Sequence, residues 1–163
     1  MKILEPRNTY EFIGHKQNEQ FILKAWENDK IPHALLLSGP RGVGKATFAF
    51  RVARFLIYTG GGVQNCPNCV DFGQKIANET LAVSEETVVS RQVANNAHPN
   101  LLVIQRSESP QTKKIRSEIV IDDLKPLKNF LNLKASDGCW RVVIIDTIDD
   151  MNRNSANAIL KLL

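Results

Sequence analysis

Residues Gly39-Pro40-Arg41-Gly42-Val43-Gly44-Lys45 fit the pattern G-x-x-x-x-G-K. In such a loop the backbone N–H groups turn inward on phosphate oxygens, and glycine admits the backbone angles this requires. The N-terminus of a following helix adds partial positive charge, and Lys45 brings a full one to the β- and γ-phosphates. The competing reading is an ordinary glycine-rich turn with a surface lysine, and context decides against it. Ala34-Leu35-Leu36-Leu37, just before the loop, is a short apolar run of the kind found in strands buried on both faces. Ala46 to Tyr58, just after it, has apolar residues at helical spacing: Phe48, Val52, Phe55 and Leu56. Strand, glycine loop and helix in that order make a nucleotide, ATP or ADP, the expected ligand.

Two positions depart from what hydrolysis needs. The residue after the lysine is ordinarily Ser or Thr, whose hydroxyl ligates Mg²⁺, and here it is Ala46. Thr47 is adjacent, but neighbouring side chains on a helix point about 100° apart, so it substitutes poorly. The second acid is Asp146, which ends the apolar run Val142-Val143-Ile144-Ile145 as a magnesium-linked Walker B aspartate would. The residue after it, ordinarily a glutamate that orients the attacking water, is Thr147. Asp149 and Asp150 lie beyond the strand end, where the expected role is to start or cap a helix with Asn152 and Asn154. The expectation is a site that holds phosphate, holds magnesium weakly, and turns ATP over weakly or not at all.

The elements that must position these groups alternate between strand and helix. His15 to Asn28 carries Phe21, Ile22, Ala25 and Trp26 on one face of an amphipathic helix, which Pro32 prevents from continuing. In the helix after the loop, Arg51 and Arg54 fall on what reads as its more polar face. Gly60-Gly61-Gly62 closes that helix and opens a less regular insert, about 63–96, with room for one or two helices. Leu101-Leu102-Val103-Ile104 is a second strand, 105–117 a polar surface loop, and 119–121 a short extended piece. Asp122 or Asp123 can cap a helix through Leu133, with Pro126 in its first turn. Residues 135–138 read as a turn, Val142–Asp146 as the third strand, and a last helix begins near Asn154 or Ser155. Strands alternating with helices imply an α/β fold with a parallel sheet flanked by helices.

The same residues resemble the clamp-loader AAA+ family, and within it the delta-prime type of subunit of bacterial DNA polymerase III. Pro32-His33-Ala34-Leu35-Leu36 before Gly39-Pro40, then Gly44-Lys45-Ala46-Thr47, carry the likeness, as does His98-Pro99-Asn100 ahead of a strand. So does the run from Arg141 to Asp146, followed by Met151-Asn152 and Ala156-Asn157-Ala158-Ile159-Leu160-Lys161. The likeness spans about 10–163, and the Glu-Glu-Pro segment that ordinarily follows is absent. It implies a P-loop NTPase sheet ending after the Walker B strand and its following helix, with the lid and collar domains absent. It further implies a stator in a complex whose other subunits hydrolyse ATP, and which loads a sliding clamp on primer–template DNA in replication. The partners are then the other clamp-loader subunits, with clamp and DNA reached through the complex. His33 is expected near the nucleotide pocket and His15 as a structural contact.

In that fold the strand after Walker B lies between the phosphate-loop strand and the Walker B strand. A chain ending at Leu163 lacks it, and unpaired strand groups are costly. The expectation is a fragment of a longer protein, or one that pairs with a second copy of itself. An ATP-hydrolysing motor subunit is the alternative within the family. An unrelated P-loop kinase, outside it, leaves the Asn152–Lys161 match unexplained.

Relatives of this type carry a four-cysteine zinc module in the insert. Here the insert holds Cys66 and Cys69, with His98 and Cys139 as the remaining candidates. A structural zinc wants four ligands, so two free thiols are expected rather than a zinc site. Three cysteines without a secretory context argue against a disulfide framework. Trp26 and Trp140 read as core packing. The chain carries 21 Lys+Arg against 17 Asp+Glu, a mild excess that suits a nucleic-acid machine without demanding one. With no signal-like N-terminus and no stretch near the ~20 apolar residues of a membrane span, a cytoplasmic location is expected.

Overall fold

A computed structural model describes residues 5–60, 80–132 and 140–161. Helices and strands are mixed around a small parallel sheet, so the α/β class holds. The chain divides into two compact units, Met1–Leu101 with Ala135–Val142, and Leu102–Lys134 with Val143–Leu163. No helix among the described residues is long and apolar enough to cross a membrane.

The first unit is built on helices α1 (Lys16–Glu27), α2 (Lys45–Tyr58) and α3 (Val88–Ala94). Ile22 and Leu23 of α1 pack with Phe48, Val52, Phe55 and Leu56 of α2 and with Leu81 in one apolar cluster. Trp26 and Trp140 pack against it, Trp26 edge-on to Phe55 at 5.3 Å, as core packing requires. The buried face of α1 departs from the spacing, since Phe21 is exposed while Glu19 and Leu23 are buried. Helix α2 ends at Thr59, whose hydroxyl donates to the Phe55 carbonyl at 2.8 Å. In the described part of the insert, α3 starts at a Thr87 cap that accepts from the Ser90 N–H at 3.1 Å.

The flanks of the glycine loop reverse two expectations. Arg51 and Arg54 are not on a polar face; they are 8% and 2% exposed. Burial is tolerated because their donors find partners. Arg54 gives its two Nη groups to the Arg7 and Thr9 carbonyls at 2.9 and 2.8 Å, under the Tyr10 ring at 4.6 Å. Arg51 pairs with the buried Glu19 and donates to the Tyr10 carbonyl and the Thr80 hydroxyl, both at 2.9 Å. Burial pushes the Arg54 pKa below its ordinary value; Tyr10 opposes that shift and Arg51 adds to it. The second reversal is the run Ala34–Leu37, which forms no strand and joins no sheet, with Leu36 76% exposed. The described residues supply it no neighbouring strand, and an apolar run alone does not make a buried one.

Strand β1 (Leu101–Gln105) pairs with β2 (Val142–Asp146), and all but the first residue of each belongs to the second unit. Helices α4 (Lys125–Asn132) and α5 (Arg153–Leu160) contribute Leu127 and Ile159 to a cluster with Ile104, Ile119 and Leu124. Asp123 accepts from the Val120 N–H at 2.9 Å, and a 3-10 turn at Ile121–Leu124 leads into α4 with Pro126 in its first turn. Asn152 caps α5 by accepting from the Ser155 N–H at 3.0 Å, while Asn154 lies inside the helix. The extended piece at Ile119 bridges in parallel to Met151. The polar run after β1 is a tight reversal, with Glu108 and Ile115 bridged antiparallel.

Candidate phosphate-binding loop

The loop follows Ser38 and enters α2 at Lys45, and every residue of the G-x-x-x-x-G-K run lies in the first unit. Its backbone favours glycine at both places the pattern puts one: Gly39 and Gly44 have φ of +148° and +93°, and Gly42 between them has +86°, values that side chains resist. A Cβ on Gly44 would also stand 3.3 Å from the Phe12 ring.

Lys45 Nζ lies back across the loop, donating to the Gly39 carbonyl at 2.7 Å and the Pro40 carbonyl at 2.9 Å. The first helical bond of α2 runs from the Phe48 N–H to the Gly44 carbonyl at 2.9 Å. No side chain caps this end of the helix, so its first-turn N–H groups keep their capacity for an anion. Ammonium, uncapped amides and glycine turns converge on one short stretch of chain. That arrangement can hold phosphate oxygens. Ala46 places a methyl where a hydroxyl would ligate magnesium, and Thr47 is half-buried one residue further on.

An open concavity of about 300 Å³ adjoins the loop, its wall including Phe12, His15, Phe21, Leu36 and Lys45. His15 occupies the cap position of α1 with φ of +56°, and its Nε2 donates to the Val43 carbonyl at 3.2 Å. Its ring stacks on Phe12 at 5.5 Å, and Phe12 stacks on Phe48 of α2 at the same distance. His33, expected near the pocket, is exposed and not part of this wall. The histidine that touches the loop is His15. Sequence offered little to separate the two, because the contact depends on how the chain turns before α1.

Asp146 lies in the second unit, as the last residue of β2 and half-buried, with Thr147 after it. Asp149 is exposed, and the Asp150 carboxylate is engaged by Arg106 at 3.2 Å. Asp149 and Asp150 belong to a 3-10 turn, and the cap of α5 is Asn152. Cys66, Cys69 and Cys139, the zinc candidates of the sequence, lie outside the described residues. His98, the fourth, accepts from the Asn100 N–H through Nδ1 at 3.1 Å in the turn before β1.

Comparison with known proteins adds a family to this geometry. The profile of the family described as DNA polymerase III, delta subunit, matches residues 14–88 and 72–163. Over 160 residues the chain is 24% identical to the DNA polymerase III subunit gamma of Buchnera aphidicola, covering 97% of the chain and 37% of that protein. It is 29% identical over 135 residues to the delta-prime subunit of Pseudomonas aeruginosa, covering 80% of the chain and 33% of the relative. To the delta-prime subunit of Bacillus subtilis it is 23% identical over 144 residues, with 88% and 36% covered. The chain thus spans about a third of the length of the curated relatives it matches. No solved structure matches it significantly.

Proposed function

This chain belongs to the DNA polymerase III, delta subunit family, and from that premise we propose that it serves in a clamp loader as a stator. In this reading residues 1–163 are the front portion of an AAA+ nucleotide-binding domain, with a variable insert at about 63–96 and the lid and collar outside it. Its role in DNA replication is to brace the other clamp-loader subunits while the complex sets a sliding clamp on primer–template DNA. Clamp and DNA are met through the complex.

One combination carries the reading. The phosphate loop from Gly39 to Lys45 keeps its glycines and its lysine, while Ala46 and Thr147 replace the two groups that turnover needs. Binding an anion needs oriented amides and a cation, which the loop has. Cleaving ATP also needs a metal held against the phosphates and a water held in line. The proposed nucleotide site is therefore Gly39, Pro40, Arg41, Gly42, Val43, Gly44, Lys45, Ala46 and Thr47. ATP or ADP rests there without efficient hydrolysis.

A second reading, a hydrolysing motor subunit, draws on the relatives named gamma. One assay separates the two: ATP binding and hydrolysis by the purified chain with Mg²⁺, against Lys45→Ala. The stator reading expects binding lost in Lys45→Ala and no steady turnover in either protein. Turnover abolished by Lys45→Ala would put the motor reading first.

A further inference from the structure

The phosphate loop is gripped from outside its own run by His15. Val43 stands between Gly42 and Gly44, both in left-handed conformations. The peptides on either side of Val43 therefore have little local steric reason to hold one orientation. A trans peptide carries its C=O and its N–H on opposite sides. Drawing the Val43 carbonyl to the imidazole, at 3.2 Å, turns the Gly44 N–H away from that ring.

The donor is itself well anchored. His15 opens α1, and its own carbonyl accepts from Asn18 and Glu19 N–H groups at 2.9 and 3.1 Å. Its ring stacks on Phe12, which stacks on Phe48 in the first turn of α2. Phe12 also fills the space beside Gly44 that a Cβ would need. The imidazole thus refers this peptide of the loop to two helices at once.

We infer that His15 is a positioning residue for the phosphate loop, holding the Val43–Gly44 peptide in the orientation that an incoming phosphate meets. The inference rests on the nucleotide reading above and deepens it. It assigns His15 no contact with the reacting atoms. Removing the donor frees the peptide to rotate, and one oriented amide is lost to the anion. The expected loss of affinity is on the order of ten-fold, the scale of one hydrogen bond to a charged group.

Two substitutions separate the hydrogen bond from the ring packing. His15→Gln keeps an amide donor and gives up the stack on Phe12; His15→Phe keeps a ring and gives up the donor. Each is made in the full chain and compared with the parent by the backbone amide resonances of Val43 and Gly44 without ligand. Each is then titrated with inorganic pyrophosphate and with ADP, and its melting temperature is recorded. The expected result is a displaced Gly44 amide resonance and about ten-fold weaker pyrophosphate binding in His15→Phe, at little change in melting temperature. His15→Gln retains most of the affinity. Equal weakening in both variants would assign the effect to packing and overturn the inference. Unchanged Gly44 resonance and affinity in His15→Phe would overturn it too, while leaving the nucleotide reading intact. A parent chain that binds neither pyrophosphate nor ADP sinks the nucleotide reading, and the positioning role toward phosphate with it.

Discussion

The phosphate loop hangs between two supports of opposite character. On its C-terminal side α2 is buried nearly all round, and even its arginines are enclosed: Arg51 by Glu19, Thr80 and the Tyr10 carbonyl, Arg54 by the Arg7 and Thr9 carbonyls. On its N-terminal side the segment Ala34–Ser38 forms no strand, joins no sheet, and leaves Leu36 in solvent. The loop therefore takes its place from the helix. Helix α2 takes its own place partly from the segment 7–10, whose carbonyls would be costly to leave without donors. The difference teaches that a guanidinium with its donors filled can be more deeply committed to a fold than leucines such as Leu35 and Leu36. What matters is whether the neighbours exist.

The contrast can be broken most sharply at the enclosed side. Glu19→Ala leaves Arg51 buried with its counter-charge gone, and removing one partner of a buried pair costs about 3–5 kcal/mol. Urea denaturation of the purified chain measures it. A change near zero would mean that water reaches Arg51 in solution and that the enclosure is weaker than the contacts imply. Arg54→Ala comes next, at about 2–4 kcal/mol, because two carbonyls lose their donors and the stack on Tyr10 goes as well. Arg54→Lys is expected to recover only part of this, since an ammonium cannot fork to Arg7 and Thr9 as a planar guanidinium does.

These two sites also mark the limit of what the sequence discloses. The helix from Lys45 to Tyr58 was legible because Phe48, Val52, Phe55 and Leu56 repeat at helical spacing, and the glycine loop because its residue types admit few alternatives. The strand Val142–Asp146 and the Asn152 cap were legible for similar local reasons. Arg51 and Arg54 misled because charge is read as exposure, whereas their partners include carbonyls 41 to 47 residues away, invisible to any local pattern. Leu35 and Leu36 misled in the opposite sense: an apolar run says that burial would be favourable, not that a neighbouring strand is present. Asp146 was legible as a strand-ending acid, the last residue of β2.

The exposed side predicts a small number. Leu36→Ala should change stability by no more than about 0.5 kcal/mol, as surface substitutions do. Amide hydrogen exchange sharpens the point: Ile144, 6% exposed in the paired β2, should be protected, and Leu35 and Leu36 should exchange freely. A loss of about 2 kcal/mol in Leu36→Ala, the scale of a buried leucine, would mean that the segment is covered in solution. Light scattering on the same sample would then tell whether a second copy covers it.

The smallest effect belongs to a charge that is neither enclosed nor unpartnered. Asp122 sits on the surface with Lys125 Nζ at 2.8 Å, and that hydrogen bond and charge hold its carboxyl below the usual carboxylate range. A carboxyl depressed in the folded state contributes stability above the unfolded pKa and loses it as pH falls through the folded one. Asp122→Asn should therefore narrow the gap to the parent chain on the acid side only, leaving the alkaline side parallel. Because both partners are in water, the difference should fade as salt rises toward ~1 M, where the screening length is about 3 Å. The Arg51–Glu19 pair, shielded from ions, should keep its full effect under the same conditions. If both pairs fade together with salt, Arg51 is solvated, and the enclosed helix no longer differs in kind from the surface it was set against.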